Sequence, residues 1–202
     1  MSVSLGHALG IMTHPDLEWE SIRRENETVS RLYLSHVIIL AIIPAAAGYY
    51  GVTQVGWSIA GGDNVRLTQG SALQLCTLFY FALLAGVFII GQFIDFFAKT
   101  FGVDNQTPRG AILAAYTSTP LFLVGFIAAY PNLWVNMIAG MIAIAYAVYL
   151  LYEGLPILMK IPPERGFIFA SSVLTVGLVM LVGLFAITVI FWSVGVGPVY
   201  IR

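Results

Sequence analysis

Two carboxylates stand where carboxylates are costly. Asp95 and Glu153 lie inside long apolar runs of this 202-residue chain, and an ionisable side chain in such a run is a functional candidate unless something nearby neutralises it. For Asp95 a partner is at hand: Gln92, Asp95 and Lys99 share one helical face, and an acid four residues before a base is the favourable order. The local reading is an Asp95–Lys99 ion pair, with the lysine snorkelling to the headgroups. Glu153 has no such neighbour. It sits about 9 Å inside the end of its run by helical rise, on the face of Tyr146 and Tyr149. Lys160 is seven residues away, and Pro156 disturbs the turn between them. Its partner is expected from elsewhere in the chain.

The N-terminal segment is the natural source. Arg23, Arg24, Glu25, Asn26, Glu27 and Arg31, with Asp95 and Glu153, form a candidate polar cluster at the inner leaflet. Two roles stay open for it, a structural latch or a ligand or proton site. A second candidate set, Tyr116, Thr119, Pro120, Tyr149, Tyr152 and Pro156, marks kinks or a pathway. Its Tyr116-to-Pro120 stretch also has a simpler reading, in which Ser and Thr hydroxyls return to their own backbone carbonyls. Ala139, Ala143 and Ala147 form a close-packing stripe. Gln74, Cys76 and Thr77 read as interhelical contacts, and His36 as an interfacial side chain.

Enzyme chemistry finds no footing in these residues. The chain has no H-E-x-x-H zinc motif, no G-x-S-x-G nucleophile elbow and no phosphate-binding Gly-Lys loop. Its three histidines, His7, His14 and His36, crowd one end, and Cys76 is the single cysteine. No catalytic residue, cofactor or metal is expected.

Composition says what must position these groups. Only 9% of residues are charged and 59% are hydrophobic, where a soluble chain carries roughly 25% charge. Eight of the nineteen charges fall before residue 32. A net charge of −1 gives no basic patch for nucleic acid. Met1 to Met12 has no basic start, so it does not read as a signal peptide. Five apolar runs, approximately 33–59, 71–98, 110–130, 133–159 and 167–195, are each long enough to cross a bilayer. Gly, Pro and Asn breaks separate them.

The expected fold is therefore all-α: a polytopic membrane protein with five transmembrane helices, residues 33–202, preceded by a short cytoplasmic segment, residues 1–32. Within that segment Pro15 opens an amphipathic helix, and Trp19, Ile22, Asn26, Val29 and Tyr33 share a narrow face. Such a helix lies on the inner membrane face or folds under the bundle. Arg23, Arg24, Arg31, Lys99, Arg109, Lys160 and Arg165 fall on one side, against Arg66 and Arg202 on the other. That asymmetry puts the N-terminus in the cytoplasm and the C-terminus outside.

Three stretches carry a family resemblance. Arg24-Glu25-Asn26-Glu27-Thr28 after His14-Pro15-Asp16, the run Tyr116 to Leu123, and Tyr149 to Pro156 together resemble the bacterial YohC-like inner-membrane branch of the Yip family. The resemblance implies five spans and a cytoplasmic N-terminus. Eukaryotic relatives bind prenylated Rab-type GTPases, but this chain lacks their Asp-Leu-Tyr-Gly-Pro motif. The expected activity is non-enzymatic: an integral inner-membrane protein that organises membrane or binds partner proteins at the cytoplasmic face. The alternative is a transporter or channel for a small solute, proton or lipid that uses the inner-leaflet acids. Membrane lipids and a cytoplasmic-face protein are the expected partners, with a homo-oligomer compatible with either reading.

Overall fold

A computed structural model describes residues 2–25, 28–58, 62–100, 102–103 and 109–201. Five long helices dominate: span one Val29–Val55, span two Gln69–Thr100, span three Arg109–Ala129, span four Leu133–Met159 and span five Pro163–Ser193. Each is long and apolar enough to cross a bilayer. The all-α, five-span architecture expected from the apolar runs is what the chain forms. Spans two, four and five turn large apolar side chains outward, among them Phe81, Phe96, Met141, Val182 and Phe185. In water those faces would be costly, whereas against acyl chains they are at rest.

Two further helices precede span one, α1 (Ser2–Thr13) and α2 (Pro15–Arg24). Pro15 opens α2, Asp16 and Glu18 fill its first turn, and Arg23 and Arg24 its last, so charge runs with the helix dipole at both ends. Trp19 and Ile22 are its buried face. No sequence expectation covered α1 as a helix.

Span three is the hub. Ala111 through Tyr116 are buried without interruption, and the helix breaks at Ser118 before resuming with Pro120 in the first turn of its next segment. Thr117 and Ser118 return their hydroxyls to Leu113 O at 2.7 Å and Ala115 O at 2.8 Å, satisfying the hydroxyls within the break itself. Glycines let neighbouring backbones close in: a Cβ at Gly91 would stand 2.8 Å from Ala111 Cα, and one at Gly125 would stand 2.9 Å from Pro44 Cα. The first contact locks span two to span three, the second span one to span three.

A small antiparallel sheet closes the end away from the N-terminal helices. Strand β1 (Arg66–Leu67) pairs with β2 (Tyr200–Ile201), Arg66 opposite Ile201 and Leu67 opposite Tyr200. The loop after span one is thereby tied to the C-terminal tail.

Candidate functional site

The α1–α2 pair forms a tight helical hairpin. Its turn is fixed by His14 N–H donating to Gly10 O at 2.7 Å and Glu18 N–H donating to His14 O at 3.1 Å. The hairpin packs against span four and against the Tyr33–Val37 stretch of span one, with span three beneath. Trp19 is fully buried, lies over Gly154 of span four and meets the Tyr116 ring edge-on at 6.3 Å. α2 runs in the same direction as span four: Asp16 adjoins Glu153 and Trp19 adjoins Gly154. The hairpin turn is therefore its end farthest from the Met159 end of span four. Tyr146 Oη, which donates to Ile11 O at 3.1 Å and Met12 O at 3.2 Å, lies about 20 Å from the Met159 end of span four by helical rise.

Backbone accounting fits a turn sunk in lipid, where water cannot serve exposed carbonyls. Leu9 O accepts from Thr13 Oγ1, Gly10 O from His14 N–H, Ile11 O and Met12 O from Tyr146, and His14 O from Glu18 N–H. Pro15 has no N–H to satisfy at the start of α2. The side chains agree, since Leu9 is 70% and Leu17 72% exposed on the outer face of the hairpin. Two leucines bared to that degree suit acyl chains. Of the two placements open to the amphipathic helix, the structure has it packed against the bundle, with α1 folded back along it.

Charges in the hairpin pair mostly with one another. His7, on α1, contacts the Glu18 carboxylate through Nδ1 and Glu25 through Nε2 at 3.1 Å, and its ring meets Tyr116 edge-on at 5.9 Å. Burial pulls the His7 imidazole toward neutrality, but the two carboxylates more than offset it and hold its pKa above the ordinary value. Arg24 pairs with Glu20 at 3.1 Å, both exposed. Arg23 is half-buried and Arg31 exposed. Asn26 and Glu27 lie outside the described residues.

Glu153 is met by an acid rather than an arginine. Asp16 of α2 and Tyr149 of its own helix are the titratable groups beside its carboxyl. The direction of α2 is the reason: its acidic first turn lies beside Glu153, while Arg23 is about 10 Å further along the helix toward the basic end. Asp95 is engaged separately. Its Oδ1 accepts the Gly110 N–H at 2.8 Å, so the carboxylate caps the first turn of span three from across the helix pair. Lys99 stays exposed, within electrostatic reach of Asp95 and beyond ion-pair distance.

The second candidate set is spread through the bundle. Tyr116 is fully buried at the meeting point of His7, Trp19 and His36. Thr119 hydrogen-bonds His36 Nε2 at 2.9 Å, so His36 is a buried bridge between spans one and three rather than an interfacial group. Tyr152 Oη bonds Ser171 Oγ of span five at 2.8 Å. Pro156 packs on Gly166, Pro120 is buried, and Tyr149 is exposed on the flank of the hairpin. Arg109 donates to Leu158 O, tying spans three and four.

Sequence reasoning missed His7 and Asp16 as site residues. The available signal was an apolar stretch, residues 2–13, broken by His14-Pro15 before an amphipathic helix, which is the punctuation of a helical hairpin. At the opposite end, an open cleft of about 880 Å³ is lined by Trp57, Tyr130, Trp134 and three asparagines. Those asparagines already serve the backbone: Asn64 bonds Val55 O, Asn136 bonds Tyr130 O, and Asn132 accepts Val135 N–H. Among the described residues no group of three or more His, Cys, Asp or Glu is placed to hold a metal ion.

Five apolar spans with a helical hairpin packed on one end define an integral membrane protein. The chain belongs to the Yip1 domain family, which it matches over residues 9–195. It is 39% identical over 191 residues to inner membrane protein YohC of Escherichia coli strain K12, covering 95% of this chain and 98% of the relative. The YohC of Escherichia coli O6:H1 strain CFT073 is similar to the same degree. No solved structure matches the chain.

Proposed function

We propose that this protein organises membrane and partner proteins at the cytoplasmic face of the bacterial inner membrane, without catalysing a reaction. The observation that carries the reading is the N-terminal hairpin packed on the bundle. It adds two helices to one end of a five-span bundle, so the cross-section is larger in the leaflet it occupies, and lipids there must pack around the added volume. The seven-to-two excess of basic residues at the hairpin end supports a cytoplasmic placement. At that surface Glu20, Ser21 and Arg24 are exposed and offer a polar docking edge, whereas Trp19 and Ile22 are sealed inside.

Photo-crosslinking in cells separates the two tasks. A photoreactive residue at Leu17 is expected to give lipid adducts and one at Ser21 protein adducts. Absence of both would refute the reading. The Asp16–Glu153 pair favours a second reading, proton-linked movement of a small solute. Purified protein in liposomes would test it, and a flux unchanged by Glu153→Gln would remove it.

A further inference from the structure

At the end of the bundle away from the N-terminal hairpin, the chain leaves regular α-helix on both sides of the open cleft. Span one finishes in a π turn, Gly51–Val55, with Gly56 N–H returning to Gly51 O at 2.8 Å, and turns away at Gly56, whose φ is +75°. Span three finishes in a 3-10 segment, Gly125–Ala129. Single π turns inside helices recur at functional sites. A side chain at Gly51 would strike Ala128 O, whereas a Cβ at Gly48 would meet open space. Gly48 and Ala128 both line the cleft, so small residues leave the room between spans one and three. Its volume of about 880 Å³ falls within the roughly 300–1,000 Å³ of small-molecule sites.

Three rings and three amides face this space: Trp57, Tyr130, Trp134, Asn64, Asn132 and Asn136. Trp and Tyr are ordinary at a membrane interface, but that does not account for the asparagines. Each is held by the backbone through one side of its amide. Asn64 Nδ2 donates to Val55 O at 3.0 Å, Asn136 Nδ2 donates to Tyr130 O and Asn132 O at 2.8 Å each, and Asn132 Oδ1 accepts Val135 N–H at 3.1 Å. The other side, Oδ1 of Asn64 and of Asn136 and Nδ2 of Asn132, has no protein partner among the described residues. The amides are thus fixed in orientation with both acceptors and donors to spare. Among the described residues no Asp, Glu, Lys or Arg lines the cleft. Asp63 and Arg66 are exposed beyond it, the stem of Arg66 passing beside Gly56.

An ionised ligand would lose hydration here without gaining a counter-charge from the lining. A hydroxyl both donates and accepts on one atom, which suits a mixture of amide oxygens and N–H groups. A sugar ring carries several hydroxyls around an apolar C–H face, and that face packs on aromatic rings. We propose that the cleft binds an uncharged sugar ring, packed among Trp57, Tyr130 and Trp134 and hydrogen-bonded by the spare amide groups of Asn64, Asn132 and Asn136. A free saccharide and the sugar headgroup of a lipid present the same chemistry. The site lies opposite the hairpin and needs neither a cytoplasmic partner nor a coupled proton, so it stands apart from both functional readings.

The test uses the full chain, purified without glycoside detergents, in phosphatidylcholine nanodiscs, where both faces meet solvent. Saturation-transfer NMR with methyl β-glucoside is expected to show transfer to the ring protons that empty nanodiscs do not give. Trp134→Ala removes an exposed ring. Asn132→Ser keeps an oxygen to cap span four and loses the spare amide N–H. Each is expected to weaken the signal severalfold at an unchanged unfolding midpoint. Glucosamine and glucose 6-phosphate, which add a charge to the same ring, are expected to give a severalfold weaker signal with the wild type. Adding a glucosyl diacylglycerol to the nanodiscs separates the two sources: loss of the free-sugar signal assigns the cleft to a lipid headgroup, and an unchanged signal assigns it to a free saccharide. No transfer in the wild type overturns the proposal, as does equal transfer to the charged sugars or full signal in either variant.

Discussion

The indole of Trp19 fills the space that a side chain at Gly154 would need. This relationship fixes the hairpin against span four, because Trp19 is fully buried and its Nε1 has no hydrogen-bond partner among the described residues. Shape and apolar contact hold it rather than a polar bond. Gly154→Ala is expected to destabilise the docked hairpin by about 1–3 kcal/mol through overpacking. Thermal unfolding in detergent would check it, and the loss should vanish when Trp19→Ala is combined with the glycine change.

Asp95 caps span three through the Gly110 N–H. Asp95→Asn keeps an acceptor oxygen, so it is expected to cost less than Asp95→Ala, which should lose about 1–2 kcal/mol. Replacing Lys99 with Met should change stability little, since that side chain is exposed. Unfolding midpoints of the three variants give the order.

Tyr146 Oη serves two carbonyls at the hairpin turn. Tyr146→Phe keeps the ring and leaves those carbonyls without their donor, at an expected loss of about 1–3 kcal/mol. Hydrogen exchange should report it as faster exchange in α1 and α2, with span three unchanged.

His7 gives the hairpin a pH dependence of its own. Its folded pKa is raised above the ordinary histidine value of 6.5, so the protonated form is bound more tightly folded than unfolded. The stabilisation is fully present below the unfolded pKa and is lost as pH rises through the folded one. His7→Phe should flatten that part of the stability profile, measured by chemical unfolding across neutral pH.

The spans were legible because each is an uninterrupted apolar run with polar punctuation, and lipid leaves such a run few alternatives. The hairpin was harder to read. Trp19 and Ile22 identify a buried face, but that pattern is the same for a helix lying on a leaflet and one packed into it. The Asp16–Glu153 contact depends on the direction of α2 along span four, which no local periodicity encodes. Local spacing pairs Asp95 with Lys99 because both lie on one helix; the partner the carboxylate takes, Gly110, belongs to the next span, and only the close Gly91–Ala111 crossing brings it near.

The depth of the hairpin is the most direct test of its placement against the bundle. Nitroxides at Leu17, Ser21 and Arg24, one at a time in a Cys76→Ser background, would be ranked by power saturation against oxygen and a water-soluble relaxant in vesicles at mildly acidic pH. An embedded hairpin predicts Leu17 deepest, Ser21 shallower and Arg24 at the headgroups. Equal, headgroup-level depths at all three positions would show a helix lying flat on the surface and contradict it.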